Sequence, residues 1–358
     1  MTYYKDKLSL ISDSIDNIDL FRLLDYKIIR YHFDNRIQIY DEEVISTEVN
    51  SEFDVSIDED DVIYLVYQNS ELDLILTLIN DREVEHIKLT RNPIPEVYYL
   101  NIYIYNGEPH IFYFILLSQK EKKYRLYHHY PCKDGWITNI IDEITVNQVL
   151  NSISIFNIGN DLLLAYYDVI EHEQIYIRIF DLEKKEWGEK VKLTSTEEDK
   201  LYLDFIYKDN KIHLTYCQYE EGNLVVRYER FDYSNGFMVK EVEDTISNPE
   251  NPQYPTIIYY GEKLWIVWME YDNVISRYSD DIGNIWSPIY LWNESKGNEI
   301  VRYKYYKVQN KSNTILNYSF GKLSQGIRFV GFGEIDDVSE IPVKKKNQMK
   351  FLKNLPKI

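Results

Sequence analysis

Four residues of this 358-residue chain have types suited to covalent chemistry: Asp204 in YLDFIY, Glu270 after WIVWM, and the adjacent Arg302 and Tyr303 in VRYKYY. A tyrosine phenol activated by a carboxylate can serve as a nucleophile, a second carboxylate can supply a proton, and an arginine can hold an anionic substrate. That combination would suit glycoside hydrolysis. The same residues also fit a surface that only binds. Tyr98, Tyr99, Asn101, Asn151, Tyr202, Asp204, Tyr254, Arg302 and Tyr303 all fall at or near the starts of predicted strands. Aromatic planes with a few amides and charges suit sugar or peptide recognition. Each has a plainer explanation, because the chain holds 34 tyrosines and tyrosine is a common strand residue.

Other chemistries find little support. Neither a G-x-S-x-G nor an H-E-x-x-H motif occurs, and Gly331-Phe332-Gly333 lacks the strand-turn-helix context of a nucleotide loop. His128 and His129 are adjacent and so point to opposite faces of a strand, which suits joint metal ligation poorly. Cys132 and Cys217 stand about 85 residues apart with no C-x-x-C spacing, as reduced thiols would. No metal and no cofactor is expected.

The elements that must position these residues are strands. Isoleucine, valine and tyrosine are frequent, and apolar runs alternate with polar turns from Lys27 onward. One pattern, a polar turn followed by an alternating run ending in an aromatic, recurs at Tyr67, Phe114, Tyr166, Tyr216, Trp268 and Tyr318, at intervals of 47, 52, 50, 52 and 50 residues. Arg125, Arg178, Arg227, Arg277 and Arg328 keep the same ruler one strand later, at intervals of 53, 49, 50 and 51. Their recurrence implies a framework role rather than a substrate-binding one. Four short strands per unit of about 50 residues is the pattern of β-propeller blades.

The turn between the third and fourth strands carries one further signature. Ser279-Asp280-Asp281-Ile282-Gly283-Asn284-Ile285-Trp286 resembles the S-x-D-x-G-x-x-W Asp-box of the sialidase-like β-propellers, with Ser279, Asp281, Gly283 and Trp286 in the structural positions. KDGW, EKKEWGE and YSNGF look like degraded copies, placing Trp136, Trp187 and Phe237 at the tryptophan position. The resemblance implies a blade hairpin remote from any ligand. It also implies, in catalytic members, an arginine triad, a Tyr-Glu nucleophile and an acidic proton donor. The Arg-Ile-Pro signature of those members is missing: Arg36-Ile37 is followed by Gln38, and Ile94-Pro95 is preceded by Pro93.

The expected fold is therefore all-β, a six-bladed β-propeller with seven blades as the alternative. Blades are expected near 53–92, 93–149, 150–199, 200–253, 254–300 and 301–335, with strands at 26–52 closing the ring within a single domain at 26–337. Leu8, Ile11, Ile15, Ile18 and Phe21 recur near helical spacing, so 1–25 reads as a short amphipathic helical segment. Residues 338–358 read as a basic tail. From Lys344 onward it has six lysines and no acid, so the body is six units more negative than the −19 of the whole chain. An acidic body excludes nucleic acid as the expected partner. No apolar run is long enough to span a membrane, and no signal peptide is seen, so a cytoplasmic location is expected, with signal-independent export as an alternative. The leading functional expectation is a non-enzymatic binding or scaffold module that recognises a glycan or protein surface at the channel mouth. A divergent sialidase-like glycoside hydrolase is the alternative, and a structural protein that assembles through its tail is the third.

Overall fold

The computed structural model describes residues 7–34, 40–80, 83–234, 237–308, 313–322 and 327–344. Among them the chain is all-β apart from one 3-10 turn at Asn293–Ser295. Short polar turns reverse the chain every five to eleven residues, so neighbouring strands pair antiparallel and form six sheets. Sheet 2 holds Val49–Ile57, Ile63–Asn69, Leu74–Asn80 and Glu83–Lys88. Sheet 3 holds Val97–Tyr105, Glu108–Ser118, Lys123–Cys132 and Gly135–Thr145. Sheet 4 holds Ser154–Ile158, Asp161–Val169, Glu173–Asp181 and the short pieces Glu186–Trp187 and Val191–Lys192. Sheet 5 holds Lys200–Lys208, Lys211–Glu220, Asn223–Asp232 and Val239–Thr245. Sheet 6 is built on Gln253–Tyr260, Lys263–Glu270, Asn273–Ser279 and Ile289–Trp292, with Ile315–Leu316 added inside and Val338–Ile341 outside.

Sheet 1 joins the two ends of the chain. Its spatial order is Arg328–Val330, Tyr318–Lys322, Val301–Lys307, Leu8–Ser12, Ile18–Leu24, Lys27–Phe33 and Tyr40–Ser46. Leu8–Ser12 pairs in parallel with Val301–Lys307, Leu8 opposite Tyr303 and Ser12 opposite Lys307.

The observed strands correct three expectations. Residues 8–24 are two antiparallel strands, not a helix. The helical spacing misled because all of Leu8–Ser12 is buried, which hides the period of two, while Ile15 sits half-exposed in the connecting turn. Asp13 builds that turn: its Oδ1 accepts from the Ile15 amide at 3.0 Å and the Asn17 amide at 2.8 Å. The C-terminal strands are also joined by Leu8–Ser12 rather than by the 26–52 segment, whose last part, from Val49, belongs to sheet 2. Part of the expected tail, Val338–Ile341, is likewise a strand, paired with Ile289–Trp292; residues 345–358 lie outside the described ones.

Each sheet buries apolar side chains on both faces. Leu163, Ala165 and Tyr167 of one strand face sheet 5, whereas Leu162, Leu164 and Tyr166 of the same strand face sheet 3. Among the described residues seven such apolar seams occur, and six of them link the sheets in chain order. Two of them, around Phe21 with Phe53 and around Val267 with Phe320, bind sheet 1 to sheets 2 and 6, so the stack closes on itself. A seventh seam, Leu8, Leu10 and Leu20 with Val301 and Tyr303, lies within sheet 1 between its N- and C-terminal strands.

Polar contacts cross the seams at recurring places. Arg277 donates from Nε to Ser287 O at 2.7 Å and from Nη1 to Ile246 O, beside sheet 5, at 3.2 Å. Arg178 spans the seam between sheets 3 and 4 in the same way, to Gly188 O and Ile141 O. In the Ser279–Trp286 turn, Asp281 Oδ1 accepts from the Asn284 and Ile285 amides at 3.1 and 2.8 Å, and Ser279 Oγ accepts from the Gly283 amide at 2.8 Å. Gly283 has φ +85° and presses on the Tyr228 ring of sheet 5, while Trp286 packs edge-on against the same ring. Buried imidazoles occupy the same seams: His110 Nδ1 and His128 Nε2 are 2.9 Å apart between sheets 3 and 4, and His213 Nδ1 is 2.8 Å from Tyr228 Oη between sheets 5 and 6.

Two predictions follow from this packing. A methyl group at Gly283 meets both a left-handed backbone and the Tyr228 ring, so Gly283→Ala should cost about 2–4 kcal/mol in urea unfolding. Gly261→Ala, with φ +57° but open space around it, should cost only about 1 kcal/mol. Burial lowers His110 to about 3 and His129 and His213 to about 4, and His128 well below the ordinary 6.5. Below pH 6.5 the unfolded chain therefore binds protons that the folded one refuses, and stability falls from there down to about pH 4. Thermal melts across this range should show the fall, and His128→Phe should make it shallower.

Candidate functional site

The innermost strands of sheets 2 to 6, together with Val301–Lys307, present alternate residues to the axis. Two tiers result. Glu52, Tyr99, Asn151, Tyr202, Tyr254 and Arg302 recur at intervals of 47, 52, 51, 52 and 48 residues, and all six line one cavity of about 470 Å³. Two residues further along lie Asp54, Asn101, Ile153, Asp204, Thr256 and Lys304, of which Asp54, Asn101 and Lys304 form the cavity floor. A second cavity of about 340 Å³ shares Asn101, Lys304 and Tyr318 with the first, so these three side chains partition the axial channel.

The upper tier is held by β-bulges. Pairing slips between Phe112 and Phe114, between Leu201 and Asp204, and between Gln253 and Thr256, leaving two residues of each inner strand opposite one of its neighbour. Tyr99, Tyr202 and Tyr254 occupy those slips with φ of +49°, +61° and +51°. Left-handed backbone in a non-glycine residue costs about 1–2 kcal/mol. The Tyr99 hydroxyl donates to Leu150 O at 2.9 Å, and the Tyr202 and Tyr254 rings lie 4.4 Å apart. Arg302 fills the gap beside them, its guanidinium 3.7 Å from the Tyr318 ring centre and 5.3 Å from that of Tyr254. Among the described residues no carboxylate lies within ion-pair distance of Arg302, and its buried Nε meets no acceptor.

The carboxylates at the mouth are engaged. Glu52 pairs with Lys7 at 2.5 Å and accepts from the Leu100 amide at 3.2 Å. Asp54 accepts from Lys304 Nζ at 2.7 Å, from the Ile102 amide of sheet 3 at 2.8 Å and from the Tyr306 hydroxyl at 3.3 Å. Lys304 donates also to Asn101 Oδ1 at 2.6 Å. Burial pulls the Lys304 ammonium down, but Asp54 and the phenols of Tyr306 and Tyr318 hold it above the ordinary lysine range. The tyrosines stay protonated: burial, with Glu52 beside it, pushes Tyr99 up to about 12, and burial raises Tyr202 and Tyr254 as well.

Of the residues singled out from sequence, Tyr99, Asn101, Asn151, Tyr202, Tyr254 and Arg302 share the cavity. Tyr98, Asp204 and Tyr303 do not. Asp204 is fully buried and accepts from Thr256 Oγ1, the Ile257 amide and Asn317 Nδ2 at 2.7, 3.0 and 2.8 Å, a clamp between sheets 5 and 6. Tyr303 points the other way into the seam inside sheet 1, as strand alternation requires when Arg302 and Lys304 face the axis. Glu270 also lies off the cavity, accepting from Trp268 Nε1 at 2.7 Å. The four residues of the postulated hydrolytic set are thus dispersed. Sequence reading missed Glu52, Asp54, Lys304 and Tyr318, although the first three keep the same period as their neighbours.

No protein-family model and no curated protein matches the chain. Among solved structures it is similar to the lectin SapL1 in complex with α-methyl fucoside, at 8% identity over 80% of this chain and 95% of that one, TM-score 0.44. It is similar to the α-L-arabinofuranosidase Arb93A from Fusarium graminearum in complex with an iminosugar inhibitor, at 11% identity over 78% and 94%, TM-score 0.48. A mutant Aleuria aurantia lectin in complex with Fucα1-6GlcNAc matches at 12% identity over 81% and 96%, TM-score 0.47.

Among the described residues no cluster of three or more His, Cys, Asp or Glu side chains is arranged to hold a metal, and no helix is long and apolar enough to cross a membrane. The floor of the cavity yields a quantitative expectation. Lys304→Met strands the buried Asp54 carboxylate and should destabilise the fold by about 3–5 kcal/mol, while adding Asp54→Asn should restore part of the loss. Urea unfolding of the two single variants and the double variant measures that coupling.

Proposed function

We propose that this chain is a β-propeller whose axial mouth binds a glycan without transforming it. Seven apolar seams favour counting seven wedges, with sheet 1 contributing two, over the six that the number of sheets suggests. One observation carries the functional reading: Tyr99, Tyr202 and Tyr254, inside strands rather than turns, are held in left-handed backbone that aligns them around one cavity. Strain of this kind persists where the surrounding structure enforces it, and it concentrates at binding sites. Aromatic planes accept the C–H faces of a sugar, while Asn151, Asn101 and Arg302 offer directional hydrogen bonds.

Geometry favours binding over hydrolysis. A hydrolase needs one carboxyl able to donate a proton and a second group able to attack. Here Glu52 and Asp54 are tied to lysines, and the phenols are pushed away from ionisation. A glycan array probed with the intact protein, followed by calorimetry on the best binder, tests the reading. Tyr254→Ala and Arg302→Ala should each weaken binding about tenfold or more, equivalent to about 1.4 kcal/mol, without shifting the unfolding midpoint by a comparable amount. Release of fluorophore from aryl glycosides by the intact protein, abolished by Tyr99→Phe, would instead support the hydrolase alternative.

A further inference from the structure

Charge within the mouth cavity does not cancel. Its lining carries three cationic side chains, Lys7, Arg302 and Lys304, and two carboxylates, Glu52 and Asp54. Glu52 takes Lys7 at 2.5 Å and Asp54 takes Lys304 at 2.7 Å, which leaves Arg302 over. Asp204 lies close enough to feel the Arg302 charge. Both oxygens of that carboxylate are nevertheless committed, one to Thr256 Oγ1 and the Ile257 amide, the other to Asn317 Nδ2.

Arg302 is held instead by rings, those of Tyr318 and Tyr254 at 3.7 and 5.3 Å from its guanidinium carbon. Stacking fixes the guanidinium plane and leaves the hydrogen-bonding edge unspent. Its buried Nε meets no acceptor among the described residues, and an unpaired buried donor costs stability. Folding therefore gains little from this arrangement. Beside it stands an aromatic wall, the Tyr202 and Tyr254 rings 4.4 Å apart, on the rim that the left-handed tyrosines form.

Resting on the reading of the mouth as a glycan site, we propose that its ligand is a sugar bearing one anionic group, a carboxylate or a sulfate ester, seated on the Arg302 edge. Two oxygens of either group match two parallel N–H donors of a guanidinium. The pyranose ring then lies against Tyr202 and Tyr254. The net charge of −19 limits the ligand to sparse charge, because one anion meets one cation whereas a densely charged chain meets the repulsion of the whole acidic body.

Calorimetry on the intact protein tests the assignment with matched probes. A glucuronate-terminated oligosaccharide is compared with its carboxyl-reduced form, a singly sulfated galactose oligosaccharide with its desulfated form, and both acidic probes with a densely sulfated heparin-type chain. At least one acidic probe should bind about tenfold or more tighter than its neutral counterpart, and the pair showing the difference tells carboxylate from sulfate. That probe should also outbind the heparin-type chain. In Arg302→Gln the acidic-to-neutral ratio should fall to about twofold or less, and Arg302→Lys, which keeps the charge but loses the fork, should retain only part of it. Neutral forms that bind as well as the acidic ones would overturn this inference and leave the glycan reading standing. Absence of binding by every probe and every glycan of an array would overturn both. Tighter binding of the heparin-type chain, or a ratio unchanged in Arg302→Gln, would overturn the inference alone. Should that variant fail to fold, the ratios of the intact protein and of Arg302→Lys decide.

Discussion

No sheet in this chain can leave either face in water. Adjacent residues of a single strand, such as Leu163 and Leu164, enter different seams and are both fully buried, so a lone sheet would expose apolar surface on two sides. Stacking sheets in sequence relieves this for every sheet except the first and the last. The two ends of the stack must then meet, and they do so inside sheet 1, through backbone hydrogen bonds between Leu8–Ser12 and Val301–Lys307, parallel strands from opposite ends of the chain. Parallel pairing of such distant segments is a long-range contact that no local turn can enforce. Leu10 and Tyr303, buried in the seam beside that join, supply the apolar contact that holds it.

Closing the stack brings the innermost strands to one axis, and this creates a different problem. Polar groups there are removed from bulk water and need partners. Asp54 and Asp204 meet the need twice over, each accepting a backbone amide of the next sheet, Ile102 and Ile257 respectively, while also taking side-chain donors. Two carboxylates that look catalytic by type are therefore mortar between wedges. The residues one tier above, at the bulges, are spared that duty and open into the cavity. The walls of the cavity thus depend on rigid strands whose registration is secured by the tier below.

Much of this was legible in the residues themselves. Five of the six recurring aromatics are packing positions: Tyr67, Phe114, Tyr166, Tyr216 and Trp268 are buried on the second strand of a sheet, whereas Tyr318 lines the cavity. Six mouth residues could be found because inner-strand starts repeat with the same period. What escaped was phase and partnership. Strand alternation says that Arg302 and Tyr303 face opposite ways, but not which of them faces the axis, and only the seam contacts of Tyr303 decide it. Lys304 and Asp54 are 250 residues apart, and no local pattern announces such a pair. The amino-terminal strands were misread because five consecutive buried residues erase the alternation on which the reading relies.

Arginine shows how distance from the axis changes the work of one side chain. Arg178 and Arg277, on third strands, spend their donors on carbonyls of their own turn and of the preceding wedge. Arg125 and Arg227 engage Glu143 and Glu243 at the rim. Each is committed to the framework, so its charge is largely neutralised or its hydrogen bonds are used up. Arg302 occupies an innermost strand, and there the neighbours are tyrosine rings, which fix the plane of the guanidinium without consuming its edge donors. An oriented cation with donors to spare, set among aromatic faces in a chain of net charge −19, contributes little to stacking wedges. The proposed binding reading gives its placement a role that wedge stacking does not.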